Sequence, residues 1–382
     1  MVELEQLRTL SARVGADPLL VQAAGGNTSI KDGATMWIKA SGTWLKDSAA
    51  RDIFVPLDHP AILKGLSESD PACEACTSFI RTGLNYTGLR PSIETTVHAL
   101  MPQRVVVHVH CVNTIAWAIR ADAEQRLGEK LAAFNWAFIP YARPGLPLAS
   151  AISARLHAGV DVLVLGNHGL VVAAETVQAA GALLNRVVSA VARPVRVAAI
   201  PDRNRLARRC AGTGYRPAVM DETHALATDP LAIARGKSLV FYPDHVVFLG
   251  VGVATSLDGN PPLVAIPGEG VLIREDAKPA IEPMGRCLAD VMRRVEIDDP
   301  LVSLTEADTQ EPRPKAPPIE SRFLYVDIAA LRAKQLRRGA IPRIDPDGLG
   351  EHQPMPHKAE RIAMEEVRQC LVLYEVPVPK TE

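Results

Sequence analysis

The run Val105-Val106-Val107-His108-Val109-His110-Cys111-Val112 constrains this chain more than any other segment. It is apolar and rich in branched residues, and it predicts a β-strand running through the core. Side chains at i and i+2 of a strand point the same way, so His108 and His110 share one face. Each imidazole buried there needs a polar partner, and one shared cation would supply both. A third histidine stands in Gly166-Asn167-His168-Gly169, where a strand end meets a turn that glycines leave open. Three neutral imidazoles with one open position describe a catalytic divalent site, zinc first. Spacing alone leaves core histidines equally open.

Other segments set out the surrounding organisation. Leu4, Leu7, Leu10 and Val14 follow a helical period that Gly15-Ala16-Asp17-Pro18 ends. Two strands follow, around residues 25–30 and 36–38, joined by a hairpin turn at Asp32-Gly33. A helix is expected from Pro91 to Ala99 with Ser92 as its N-cap. Further strands are expected at 160–165 and 169–174, then a helix over 176–192. Residues 220–297 read as an α/β extension: a short helix, a strand at 240–250, a strand pair around 265–273 and a helix at 277–295. Four prolines in Glu311–Pro318 favour an extended spacer. The resulting division is 1–210, 211–300, a Pro-rich linker at 301–320, and a compact helical tail at 321–382.

Some segments suit an anion. Glycine backbones in Gly25-Gly26-Asn27 and Ala40-Ser41-Gly42-Thr43 allow close approach, and Asn27 and Ser41 can donate hydrogen bonds. Ser92 and Glu94 open a helix, where unpaired N–H groups favour negative charge. Each has a plainer reading: Gly-Gly-Asn is also an ordinary turn, and Glu94 also suits the helix dipole.

Taken together, the motifs resemble the class II aldolase/adducin family. They occur in order: Gly25-Gly26-Asn27-Thr28-Ser29, Lys39-Ala40-Ser41-Gly42, Pro91-Ser92-Ile93-Glu94-Thr95, His108-x-His110 and Asn167-His168-Gly169-Leu170. Tyr242 to Gly250 also looks like a segment of longer bacterial relatives akin to rhamnulose-phosphate aldolases. The resemblance implies an α/β fold, an α/β/α sandwich around a mostly antiparallel sheet, assembled as a homo-oligomer, usually a tetramer. It implies that His108, His110 and His168 bind Zn2+ or another divalent cation. It makes Glu94 the general base, and Asn27, Ser41, Gly42 and Ser92 the holders of a phosphate or equivalent anion. Tyr141 is the candidate for a tyrosine that protonates the leaving aldehyde. The implied activity is cleavage or formation of a C–C bond in a ketose phosphate or related sugar derivative, through a metal-stabilised enediolate. Ile93 departs from the pattern, standing where many members carry a second serine, and this opens the pocket to non-phosphorylated substrates. An epimerase or decarboxylase of the same chemistry, or a non-catalytic adducin-like protein, are the alternatives.

The tail carries Arg322-Phe323, Ala329-Ala330-Leu331-Arg332-Ala333-Lys334-Gln335 and a later Lys358 to Glu366 stretch. It is similar to the omega subunit of bacterial RNA polymerase, which implies possible contact with that polymerase; an ordinary two-helix accessory fits the same pattern.

Composition trims the remaining classes. Over 382 residues, 42 Lys+Arg against 43 Asp+Glu leave a net charge of −1, which argues against direct nucleic-acid binding. No apolar run approaches the ~20 residues of a membrane helix. MVELEQLRTL lacks an apolar signal core, so a cytoplasmic location is expected. Of six cysteines only Cys73 and Cys76 form a C-x-x-C pair, and free thiols are expected there rather than a redox or metal pair.

Overall fold

In the computed structural model of the chain, the described residues are 2–236, 239–305, 308, 322–337, 358–368 and 372. The chain divides into two compact units, Met1–Thr305 and Glu306–Glu382. Residues 301–305, counted above with the linker, stay with the first unit. Leu301 bridges Arg120, and the Leu304 N–H donates to the Val240 carbonyl. The proline cluster at 311–318 lies outside the described residues.

The first unit is built on strands β1 (Asn27–Asp32), β2 (Thr35–Lys39), β3 (Phe54–Asp58), β4 (Val105–Val109), β5 (Trp136–Ile139), β6 (Val162–Leu165) and β7 (Gly169–Ala174). They form one sheet in the order β3-β2-β1-β4-β7-β6-β5. All neighbours run antiparallel except β5 and β6. The Asp32-Gly33 hairpin forms as expected, with Asp32 opposite Thr35 and Gly33 at φ +57°.

Alternation on the central strand β4 produces the layers. Val105, Val107 and Val109 point into one core with Leu7, Leu10 and Val14 of the helix Val2–Ala16 and Leu184 and Val187 of the helix Val177–Ala190. Val106 points the other way, into a core with Val97, Leu148 and Ile152 from the helices Thr95–Leu100 and Leu146–Arg155. Helices therefore cover both sheet faces, as an α/β/α sandwich requires. The strand ends at Val109, and Val112 opens the helix Val112–Ala118. His110 thus sits at the strand's C-terminal lip rather than inside it.

Residues 215–304 belong to the same unit. Strands β8 (Tyr215–Pro217), β9 (Leu263–Ile266) and β10 (Gly270–Arg274) make a small antiparallel sheet in the order β8-β10-β9. Val112, Ile115, Ala116 and Ile119 share one core with Phe241, Leu288, Val291 and Met292 of this extension. The strand expected at 240–250 is instead a helix, Pro243–Leu249. Pro243 lies in its first turn, where a missing N–H costs nothing, and Gly250 at φ +88° ends it. This capping overrides the strand preference of Val246-Val247.

The second unit holds two described helices, Arg322–Arg337 and Ala359–Arg368. Ile328, Ala329, Arg332 and Ala333 recur on one helical face, as do Ala363, Glu366 and Val367. Arg332 and Glu366 form a buried ion pair at 2.5 Å, and the Tyr325 hydroxyl donates to the Met364 carbonyl at 2.7 Å. Among the described residues, no helix is long and apolar enough to cross a membrane.

Candidate metal centre

Sheet register brings the functional side chains together. His108 on β4 lies opposite Asn27 on β1 and opposite Val171 on β7. The β6–β7 turn carries Asn167 in a left-handed conformation (φ +50°), which presents His168 at the end of the same sheet. Glu94 stands just before the helix Thr95–Leu100. It occupies the N-cap position itself. Ser92 does not cap this helix; its hydroxyl instead accepts from the Glu94 N–H at 3.2 Å.

One ligand atom from each of Glu94, His108, His110 and His168 lies within 4.8 Å of the others, and all four residues are buried. The three imidazole centroids stand 5.0 to 5.2 Å apart. His108 Nδ1 faces the Leu170 carbonyl at 3.1 Å, which leaves its Nε2 turned inward. His110 Nε2 lies 3.1 Å from that atom. Glu94 Oε1 is 3.4 Å from His108 Nε2 and 3.2 Å from His168 Nε2, yet it is buried without a hydrogen-bond partner. Its sister Oε2 accepts from the Asn27 amide at 2.5 Å. One orphaned carboxylate oxygen facing three inward imidazole nitrogens fits a divalent cation and explains why buried polar atoms converge here.

Electrostatics differ across that donor set: burial would lower the His110 ring, but the Asp244 carboxylate holds it above its ordinary value. Burial alone would raise the Glu94 carboxyl, but the imidazoles of His108, His168 and His110 hold it well below its ordinary range. Burial takes His108 down to about 3 despite Glu94, so its ring is neutral and able to ligate. Burial also depresses His98, to about 3; its Nδ1 pairs with the Ser29 hydroxyl at 2.7 Å.

The proposed anion residues are more dispersed. Asn27 is in the cluster, and Ser92 is buried two residues from Glu94. Ser41 is exposed, its N–H donating to the Arg90 carbonyl. Gly42 is left-handed (φ +73°), with nothing within 4 Å of where a Cβ would stand. Ile93 is 57% exposed beside them. Tyr141 follows β5 and is half-buried, its main chain packed against Gly166.

Two residues escaped the sequence reading. Asp244, on the first turn of the helix Pro243–Leu249, places Oδ2 2.9 Å from His110 Nδ1. Reading that segment as a strand concealed it, although Pro243 followed by an acidic residue is a helix-start signal. Lys39 is fully buried, donates to the Ala24 carbonyl at 2.7 Å, and is brought down to about 8 by burial against the pull of Glu94 and Asp244. The five described cysteines are buried free thiols, Cys73 and Cys76 included.

Residues 6–192 match the sequence profile of the Class II Aldolase and Adducin N-terminal domain. Among curated proteins, the uncharacterized oxidoreductase YuxG of Bacillus subtilis (strain 168) is 26% identical over 262 residues, covering 63% of this chain and 37% of the relative. The chain therefore spans little more than a third of that protein's length. Among solved structures, the N-terminal class II aldolase domain of a conserved protein from Thermoplasma acidophilum aligns with a TM-score of 0.42 and 25% identity, over 49% of this chain and 90% of that one. An L-fuculose 1-phosphate aldolase from Glaciozyma antarctica PI12 aligns with a TM-score of 0.34 and 13% identity, over 50% and 70%. Through residues 6–192, which contain Glu94 and all three clustered histidines, the chain belongs to the class II aldolase and adducin family.

Proposed function

We propose that this protein is a divalent-metal-dependent lyase that cleaves or forms a C–C bond in a ketose phosphate or related sugar derivative. The observation that carries the proposal is the unpaired, buried Glu94 Oε1 facing the Nε2 atoms of His108 and His168. A non-catalytic relative has no use for an ionised carboxylate buried with one oxygen left unpaired.

His108, His110 and His168 would hold the cation, Zn2+ being the first choice for this donor set. Bound there, it would supply Lewis-acid polarisation of a substrate carbonyl and stabilisation of the enediolate charge. The chain's own residues handle protons and position. In the cleavage direction, the proton of the substrate hydroxyl that becomes the aldehyde oxygen passes through the Tyr141 hydroxyl to the ionised Glu94 carboxylate. The breaking C–C bond leaves its electron pair on the carbon next to the carbonyl. Glu94 then delivers a proton to that carbon, and in the synthetic direction it removes one. Asn27 anchors Oε2, so that Oε1 remains the reacting atom. The Ser92 and Ser41 hydroxyls and the open surface at Gly42 hold the substrate's anionic end. Exposed Ile93 puts an apolar group where a further hydroxyl would strengthen phosphate binding.

The YuxG name raises oxidoreductase chemistry, but the aligned region is only 37% of that protein. We place the protein in carbohydrate metabolism in the cytoplasm and as a homo-oligomer. The tail serves as an accessory helical pair, with RNA polymerase as a partner to be tested by co-purification.

The decisive experiment incubates the Zn2+-loaded protein with pentulose and hexulose 1-phosphates and their unphosphorylated forms, then identifies products. Aldehyde release supports a lyase. A new stereoisomer would reassign the protein as an epimerase, and CO2 release as a decarboxylase. Freshly purified protein that neither contains nor binds a divalent ion would sink the catalytic reading.

A further inference from the structure

Two ligand-bearing segments of the centre are held from outside the family-matched residues 6–192. Asp244 Oδ2 lies 2.9 Å from His110 Nδ1, the ring nitrogen turned away from the cluster. The other ring nitrogen, Nε2, lies 3.1 Å from His108 Nε2 at the cluster's heart. One residue before His168, the Asn167 amide donates to the carbonyls of Phe241 at 2.9 Å and Val302 at 3.0 Å. By contrast, His108 is fixed by Leu170, within the matched domain.

We propose that Asp244 is a positioning residue of the metal centre, so that the 215–304 extension is an integral outer layer of it and not an appended module. The inference rests on the metal-dependent reading given above. A carboxylate facing Nδ1 selects the tautomer with its proton on Nδ1, leaving the Nε2 lone pair directed at the ion. It also makes the imidazole a stronger base toward a cation. Asp244 is itself mostly buried, and its Oδ2 makes no hydrogen bond other than this contact. Its charge therefore has His110 as its near partner, and lies on the side of the ring opposite the site of chemistry.

The test uses the full-length protein and Zn2+ in competition with a chromophoric chelator at neutral pH. Asp244→Ala should weaken Zn2+ affinity about 10–100-fold, while Asp244→Asn, which keeps an acceptor oxygen but loses the charge, should fall between it and wild type. The Co2+-substituted variants should show shifted d–d absorption bands, a signature that a merely structural residue would not move. If Asp244→Ala does not fold, the isosteric Asp244→Asn carries the test alone. Wild-type affinity and unshifted Co2+ spectra in the folded variants would overturn the inference while leaving the metal-dependent reading intact. Wild-type protein that binds no divalent ion would overturn both.

Discussion

The Asn27 side-chain amide donates to Glu94 Oε2 at 2.5 Å, joining the first residue of β1 to the residue that precedes the helix Thr95–Leu100. Asn27→Ala leaves that oxygen buried without a donor. We expect the metal-free variant to lose about 1–3 kcal/mol of stability in urea unfolding. An unchanged midpoint and slope would mean that another group takes over the amide's role.

Glu94 and the histidines should separate in their effects. His108→Ala or His168→Ala should lower bound metal well below one equivalent by elemental analysis. Glu94→Gln should retain most of the metal and lose roughly 10²–10⁴-fold in cleavage rate, the usual worth of a general base. If Glu94→Gln instead loses only metal and keeps its rate when reloaded, Glu94 is a ligand and not a base.

Two glycines crowd the centre to different depths. A Cβ on Gly169 would stand 2.6 Å from the Val109 carbonyl oxygen, a main-chain atom that cannot swing aside. Gly169→Ala should therefore destabilise the protein by about 1–3 kcal/mol. A Cβ on Gly25 would stand 2.9 Å from His110 Nδ1 and 3.0 Å from the Gln22 carbonyl oxygen. Gly25→Ala should displace the imidazole, and show first as weakened Zn2+ binding at a modest loss in thermal midpoint. Equal Zn2+ affinity to wild type would contradict this.

His245 offers a pH test. Burial alone takes its ring from 6.5 down to about 4. The unfolded chain binds this proton below pH 6.5, whereas the folded chain refuses it until about 4. Its contribution to stability is thus complete above pH 6.5 and is lost as pH falls toward 4, about 3 kcal/mol at most. His245→Leu should flatten the fall in unfolding free energy between pH 7 and pH 4 by up to that amount. Parallel profiles for wild type and variant would refute it.

Among the described residues of the tail, Arg332 and Glu366 join the two helices through a buried charge pair. Glu366→Ala removes the carboxylate from a buried pair and should cost about 3–5 kcal/mol of that unit's stability, read as loss of protection in hydrogen exchange over 322–337 and 358–368. The double replacement Arg332→Met/Glu366→Leu should restore most of it. Failure of the double variant to recover would show that the pair's worth lies in more than its charges.

The sequence was most legible where local pattern and tertiary role coincide. The alternation of β4 puts His108 on the face opposite Val107 and Val109, His110 just past the strand's end still joins it in the cluster, and the Asp32-Gly33 turn specifies its hairpin locally. β3 carries no such local signal, and Pro56 within it is tolerated because β3 is the sheet's edge. Residues 243–249 were misread because valines favour strands in isolation, while a proline start and packing against the 281–292 helix decide otherwise. Asp244 was invisible for a deeper reason: nothing local to it announces that His110 lies across the fold.

In chain order the centre draws on Asn27, Glu94, His108, His110, His168 and Asp244, one from nearly every layer of the unit. No short stretch of the polypeptide can assemble it in isolation, so a growing or partly unfolded chain offers the ion only scattered side chains. An ion that binds only the finished arrangement adds its binding free energy to the whole sheet's closure, about 4 kcal/mol at a thousandfold excess over Kd. Metal uptake would then act as a seal on completed tertiary structure, and scarcity of the ion would be felt first as a shorter lifetime of the protein.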